Sequence, residues 1–235
     1  MIIRDTWLSK KPHPLAAFTM SLFLLITVLL SGAYWENFYQ AQDWMAATKY
    51  QVFNQHEYWR AFTTLFVHGD GKHLMSNAFL FFILGSLLAA YFGVLLVPLM
   101  AVVFGGLGNL YVLSTMPADV QLIGASGMVF WMGGAWLTLY LILDRRRTWV
   151  QRSLRAFGVG LVLFMPAEAF DPTISYQAHL VGFILGVAWA LVYFLIKQKP
   201  LRGAEVYETE AEEPEEVPVP VLDLVGPSDA VHFSF

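Results

Sequence analysis

The run GASGMVFWMGGAWLTLYLIL, residues 124–143, has no charged side chain and carries Ser126 at its front. Its length matches the roughly 20 apolar residues a helix needs to cross a bilayer. Read outward from it, the chain stays apolar: from His73 to Leu143 the only Asp, Glu, Lys or Arg is Asp119. Further apolar runs cover Leu15 to Ala33, His73 to Phe92, Val94 to Met116 and Tyr176 to Ile196, and a weaker one starts near Trp149. In that weaker run Arg152 and Arg155 are expected to snorkel to the interface. Only 14% of the 235 residues are charged and 57% are hydrophobic, far from the balance of a water-soluble domain. Lipid offers the backbone no hydrogen-bond partners, so such runs must be helices. The pattern predicts an all-α membrane protein, a bundle of six transmembrane helices.

Lys and Arg in short loops set the orientation. Arg4, Lys10 and Lys11 precede the first run, Arg145, Arg146, Arg147 and Arg152 surround the gap after the fourth, and Lys197, Lys199 and Arg202 follow the sixth. Six spans with both ends in the cytoplasm satisfy every short loop. The expected organisation is a cytoplasmic segment at 1–14, a helical domain at 15–198, and a cytoplasmic tail at 199–235. The tail gathers Pro214, Pro218, Pro220 and Pro227 among glutamates, a composition that reads as disordered. No basic stripe suits nucleic acid, and with no cysteine there are no disulfides or thiol nucleophiles. The first run is long enough to stay as an anchor and has no signal-peptide cleavage pattern.

Polar groups inside a bilayer are costly, so a converging set reads as a functional site. In the predicted topology the second, fourth and sixth helices run in the same direction. His73, Ser126 and His179 therefore share one shallow layer near the outer surface. Gly124 and Gly127 flank Ser126, and backbone N–H groups at a helix start can hold an oxyanion. An N-cap serine is the structural alternative. His179, Gly182 and Gly186 share a helix face, and the two glycines form a small-xxx-small stripe that lets another helix approach. Ser126, Phe130 and Gly134 offer the matching face. His73 and Asn77, spaced i, i+4, both donate hydrogen bonds and so suit a developing negative charge; the alternative is a polar clasp between helices. His68, His73 and His179 also permit a three-histidine metal site, but no H-E-x-x-H occurs, and neither metal nor cofactor is expected. Trp59-Arg60 reads as an interfacial loop anchor. No carboxylate lies within the helices; Glu168 and Asp171 fall in the loop before the sixth, so a dyad fits better than a triad.

These residues, in this order and on these helices, resemble the rhomboid intramembrane serine proteases. The matching pieces are Trp59-Arg60, His68, His73-x-x-x-Asn77, Gly124-Ala125-Ser126-Gly127 and Ala178-His179-x-x-Gly182-x-x-x-Gly186, and the likeness spans residues 15 to 196. The resemblance implies a rhomboid-like six-helix bundle with a partly embedded first loop. It implies Ser126 as nucleophile, His179 as base, and an oxyanion hole from the Ser126 N–H, His73 and Asn77, with Gly124, Gly127, Gly182, Gly186, Trp59 and Arg60 in support. Substrates would be single-span membrane proteins, and the partners are these substrates and the lipid bilayer. The expected location is the bacterial inner (plasma) membrane. Phe130 departs from the tyrosine expected there, keeping the ring and losing the hydroxyl. Gly69-Asp70-Gly71-Lys72 is more polar than expected.

Two other classes stand beside this reading. A non-cleaving rhomboid-like binding or escort factor should lack Ser126 or His179, and both are present. A small transporter or channel should show internal repeats or charged pathway residues, and the sequence has neither.

Overall fold

In a computed structural model the chain is described over residues 2–164 and 175–208. Six long helices make up its body: α1 (Ala16–Trp35), α2 (Gly71–Phe92), α3 (Leu96–Thr115), α4 (Ser126–Leu143), α5 (Trp149–Phe164) and α6 (Tyr176–Arg202). Among the described residues five of them, all but α5, are long and apolar enough to cross a membrane. The 16 residues of α5 rise about 24 Å, short of the ~30 Å hydrocarbon layer. The six-span expectation is thus met by five helices on length and composition.

The starts and stops follow local chemistry. α2 begins at Gly71, two residues before the expected His73, because Asp70 is its N-cap: the carboxylate accepts the His73 N–H at 2.8 Å. The unexpectedly polar stretch at 69–72 is a capping device. The turn between α2 and α3 sits at Gly93, with φ +129°, a backbone conformation suited to glycine. At the far end α6 runs past the expected Ile196 to Arg202 and holds Pro200 within it.

α4 is apolar on every side, as a helix surrounded by protein must be. Met128, Trp131, Met132 and Leu139 are fully buried along it. Its closest partner is α6, and the approach is backbone to backbone. A Cβ placed on Gly182 would lie 2.6 Å from the Gly127 carbonyl oxygen. One on Gly134 would collide with the Phe183 carbonyl, and one on Gly186 with that of Trp131. The small-residue stripes read from the sequence are this seam. α1 lies on the outside against α2, with Met20 inserted beside Gly85. Phe18, Leu22 and Leu29 on α1 point outward, an apolar surface suited to lipid.

The first loop is folded rather than extended. A short helix at Arg60–Thr63 leads towards α2, and β2 (Ala47–Thr48) pairs antiparallel with β3 (Gln121–Leu122), the strand just ahead of α4. At the opposite end β1 (Ile2–Asp5) pairs antiparallel with β4 (Val206–Glu208). The tail expected from residue 199 therefore starts inside a helix and continues into a strand; its portion from 209 onward lies outside the described residues, as do Glu168 and Asp171.

Candidate active site

Ser126 is the first residue within α4 and is half-buried. The cap position belongs to Ala125, and no side chain caps the helix. The hydroxyl therefore does not serve as an N-cap, and the Ser126 and Gly127 N–H groups precede the first bond of the helix, which the Met128 N–H makes to the Ala125 carbonyl at 2.9 Å. Gly124, with φ +119°, makes the sharp turn from β3 into the helix. Hydrogen bonds from the first loop pin this turn. The Gly124 N–H donates to the Thr64 carbonyl at 3.0 Å, the Thr64 hydroxyl donates to the Leu122 carbonyl, and the Ala125 N–H donates to His68 Nε2 at 3.2 Å.

His68 is completely buried, and its role was not legible in the sequence. Because Nε2 accepts from Ala125, the ring proton sits on Nδ1, which donates to Ser31 Oγ at 3.1 Å. The Ser31 hydroxyl in turn donates to the Phe66 carbonyl at 3.3 Å. Trp35 Nε1 donates to the His68 carbonyl at 2.7 Å. Burial, with His73 nearby, pushes the His68 imidazole down to about 3, so it stays a neutral acceptor. It ties α1 to the turn that presents Ser126.

His73 lies with its ring edge against Gly124: a Cβ there would sit 2.8 Å from His73 Nε2 and 2.7 Å from Cε1. The rings of His68 and His73 meet edge to face, 5.0 Å between centroids. Asn77 is buried one turn on. Its amide donates to the His73 carbonyl at 3.0 Å, leaving one further amide N–H. It lines a narrow crevice with His68 and Ala125. Both α2 residues thus face the turn ahead of Ser126.

His179 lies in the first turn of α6, whose cap is Ser175, accepting from the Ala178 N–H at 3.3 Å. The Phe130 ring stacks on the imidazole with centroids 4.0 Å apart and planes 11° from parallel. The stacking expected of the phenylalanine is present. The Gly127–Gly182 contact and this ring stack put the first turns of α4 and α6 face to face.

Arg60 is buried. Its Nε pairs with Glu57, and its guanidinium also donates to the Ala46 carbonyl at 3.1 Å. These contacts lie within the first loop; the Glu57 partner had no sequence signal beyond lying three residues away. Trp59 is exposed beside it. Asn109 on α3 donates to the Ala61 carbonyl at 2.9 Å, and its Oδ1 would lie 3.6 Å from a Cβ on Gly127. Among the described residues no group of three His, Cys, Asp or Glu is arranged to hold a metal ion.

The profile described as Rhomboid domain matches residues 55–196. The chain is 28% identical over 146 residues to a protein of Bacillus subtilis (strain 168) named putative rhomboid protease YdcA, covering 62% of this chain and 71% of that one. It is 27% identical over 190 residues to rhomboid protease GlpG of Photorhabdus laumondii, covering 79% of this chain and 63% of that protein. RHOMBOID-like protein 5 of Arabidopsis thaliana is 27% identical over 159 residues, of which the chain spans half the length. With the domain match covering most of its length, over the same helices that carry Ser126 and His179, this integral, multi-pass membrane protein belongs to the rhomboid family.

Proposed function

We propose that this chain is an intramembrane serine endopeptidase that uses a Ser126–His179 dyad. The observation that carries the reading is the α4–α6 seam, where Gly127 meets Gly182 and Phe130 stacks on His179. That seam supports a serine and an imidazole on facing first turns, with the ring held by an aromatic plane. His179 Nε2 or Nδ1 accepts the Ser126 proton as Oγ attacks the scissile carbonyl carbon. The oxygen of that carbonyl takes the negative charge, with the Ser126 N–H, His73 and the second Asn77 amide N–H as its donors. On collapse the C–N bond breaks and the imidazolium returns its proton to the leaving amine. Water then attacks the acyl-serine by the same route, with His179 again as base, and releases the new carboxylate. The substrate proposed is a single-span membrane protein cut near the end of the bundle that holds Ser126. The chain's place is proposed as the bacterial inner membrane with both termini cytoplasmic.

A non-cleaving escort role is less well supported, since such a protein has no use for both the serine and its ring-stacked histidine. The discriminating experiment is covalent labelling by a fluorophosphonate probe, with cleavage of a transmembrane substrate followed in parallel. Wild type is expected to be labelled on Ser126. Ser126→Ala and His179→Ala are each expected to abolish cleavage while keeping the wild-type melting temperature, because members of one unit fail together. Substantial cleavage by folded Ser126→Ala protein would overturn the assignment.

A further inference from the structure

The end of the bundle opposite Ser126 carries an arrangement that the candidate active site does not use. Asp144, at the end of α4 and only 1% exposed, pairs with Arg146 at 2.7 Å and with Arg147. Glu205 pairs with Arg145 at 3.1 Å and with Arg202 at 2.9 Å. Each carboxylate is shared by two guanidinium groups, so these four arginines keep two positive charges unbalanced. Arg152 and Arg155 on the first turns of α5 add two more. Arg152 donates to the Leu141 carbonyl, and Arg155 is exposed with no ion pair among the described residues.

Pairing has not hidden these side chains. Arg145, Arg146 and Arg147 remain 42%, 34% and 31% exposed. Their near-buried carboxylates hold the planar forks in place, so little further ordering is needed to present them to an anion. Directly beside them α5 turns an apolar stripe outward: Val150, Leu154 and Phe157 are exposed at i, i+4, i+7 spacing. Trp149 marks the border, 61% exposed, with the Arg152 guanidinium 5.2 Å over its ring.

A dense positive charge that passes through a tryptophan into a lipid-facing apolar stripe matches an amphiphile with an anionic head. We propose that Arg145–Arg147 with the start of α5 form a binding site for an anionic phospholipid, its phosphate against the arginines and its acyl chains along the Val150–Phe157 stripe. An acidic protein or a nucleic acid would meet the charges but leave the stripe without a partner.

The test uses purified full-length protein in detergent, offered equal amounts of dioleoyl-phosphatidylglycerol and dioleoyl-phosphatidylcholine, with retained lipid read by native mass spectrometry. Wild type is expected to retain the anionic lipid several-fold over the zwitterionic one. Arg146→Gln/Arg155→Gln should remove most of that preference and bring the ratio to near parity. If the double variant has a lower melting temperature, Arg155→Gln alone decides, since it breaks no ion pair among the described residues; it should lose a clear part of the preference. Millimolar inorganic phosphate should leave the lipid bound. No preference in wild type, an unchanged preference in a folded variant, or complete displacement by inorganic phosphate would each overturn the proposal, the last by reducing it to an ion site.

Discussion

His73 and Asn77 leave α2 one turn apart, yet both end at the turn before Ser126. His73 rests on Gly124, and Asn77 lines a crevice with Ala125. If they serve the oxyanion, His73→Ala and Asn77→Ala should each lower turnover by about 10²–10³ while changing KM little. Wild-type kcat in both variants would leave them as packing groups. His68 invites a different measurement. Its imidazole is pushed from 6.5 down to about 3 in the folded chain, so the unfolded chain binds the proton first. Stability should therefore fall as pH drops from about 6.5 towards 3. His68→Gln has nothing to titrate, so melting temperature against pH should decline less steeply in that variant; parallel slopes would assign the decline to other groups. The types and spacing of Ser126, His73, Asn77 and His179 were legible because polar groups stand out in an apolar chain. The part played by His68 was not, since its partners Ser31 and Ala125 are distant in sequence and only folding brings them to its two ring nitrogens.

The α4–α6 seam transmits sequence most directly into packing, because glycines at fixed spacing permit one thing, close approach. A Cβ on Gly186 meets the Trp131 carbonyl and lies 2.9 Å from the Ala135 nitrogen. Both are main-chain atoms in a buried helix, so neither can swing aside. Gly186→Ala should destabilise the protein by about 1–3 kcal/mol. Gly158→Ala on α5 has nothing within 4 Å and should stabilise by up to about 1 kcal/mol through helix propensity. Thermal unfolding of both variants in one detergent checks the pair, and equal shifts would mean the seam has slack. Helix limits were read less well than the seam. The start of α2 depends on a carboxylate in the preceding loop, and α6 outlasts its apolar run because Arg202 bonds the Ile142 carbonyl at 3.3 Å and joins Glu205. Hydropathy reports neither.

Across the whole molecule the N-terminal segment and the end of α6 are built together. Trp7 Nε1 donates to the Tyr91 carbonyl at 2.9 Å, and β1 registers Ile2 against Glu208 and Ile3 against Tyr207. A tail boundary drawn from composition misses this, because strand pairing between the two ends of a chain leaves no local periodicity. Truncation after Glu208 should leave melting temperature and turnover unchanged. Truncation after Arg202 removes β4 and Glu205 and should lower the melting temperature by several degrees; identical melting of the two forms would show that the strand pair contributes no stability.

That strand pair also imposes an arithmetic on the membrane. Hydrogen bonds between β1 and β4 fasten the stretch ahead of α1 to the stretch after α6, so the path between them is a closed circuit. A circuit through a sheet-like barrier must return as often as it leaves, and its crossings have even parity. Five of the helices qualify by length and composition, which is odd. Among the described residues α5 is the remaining long helix, and a passage by α5 would make the count even. The pairing of residues 2–5 with 206–208 thus sets a condition on the helix with the weakest hydropathic claim to the bilayer.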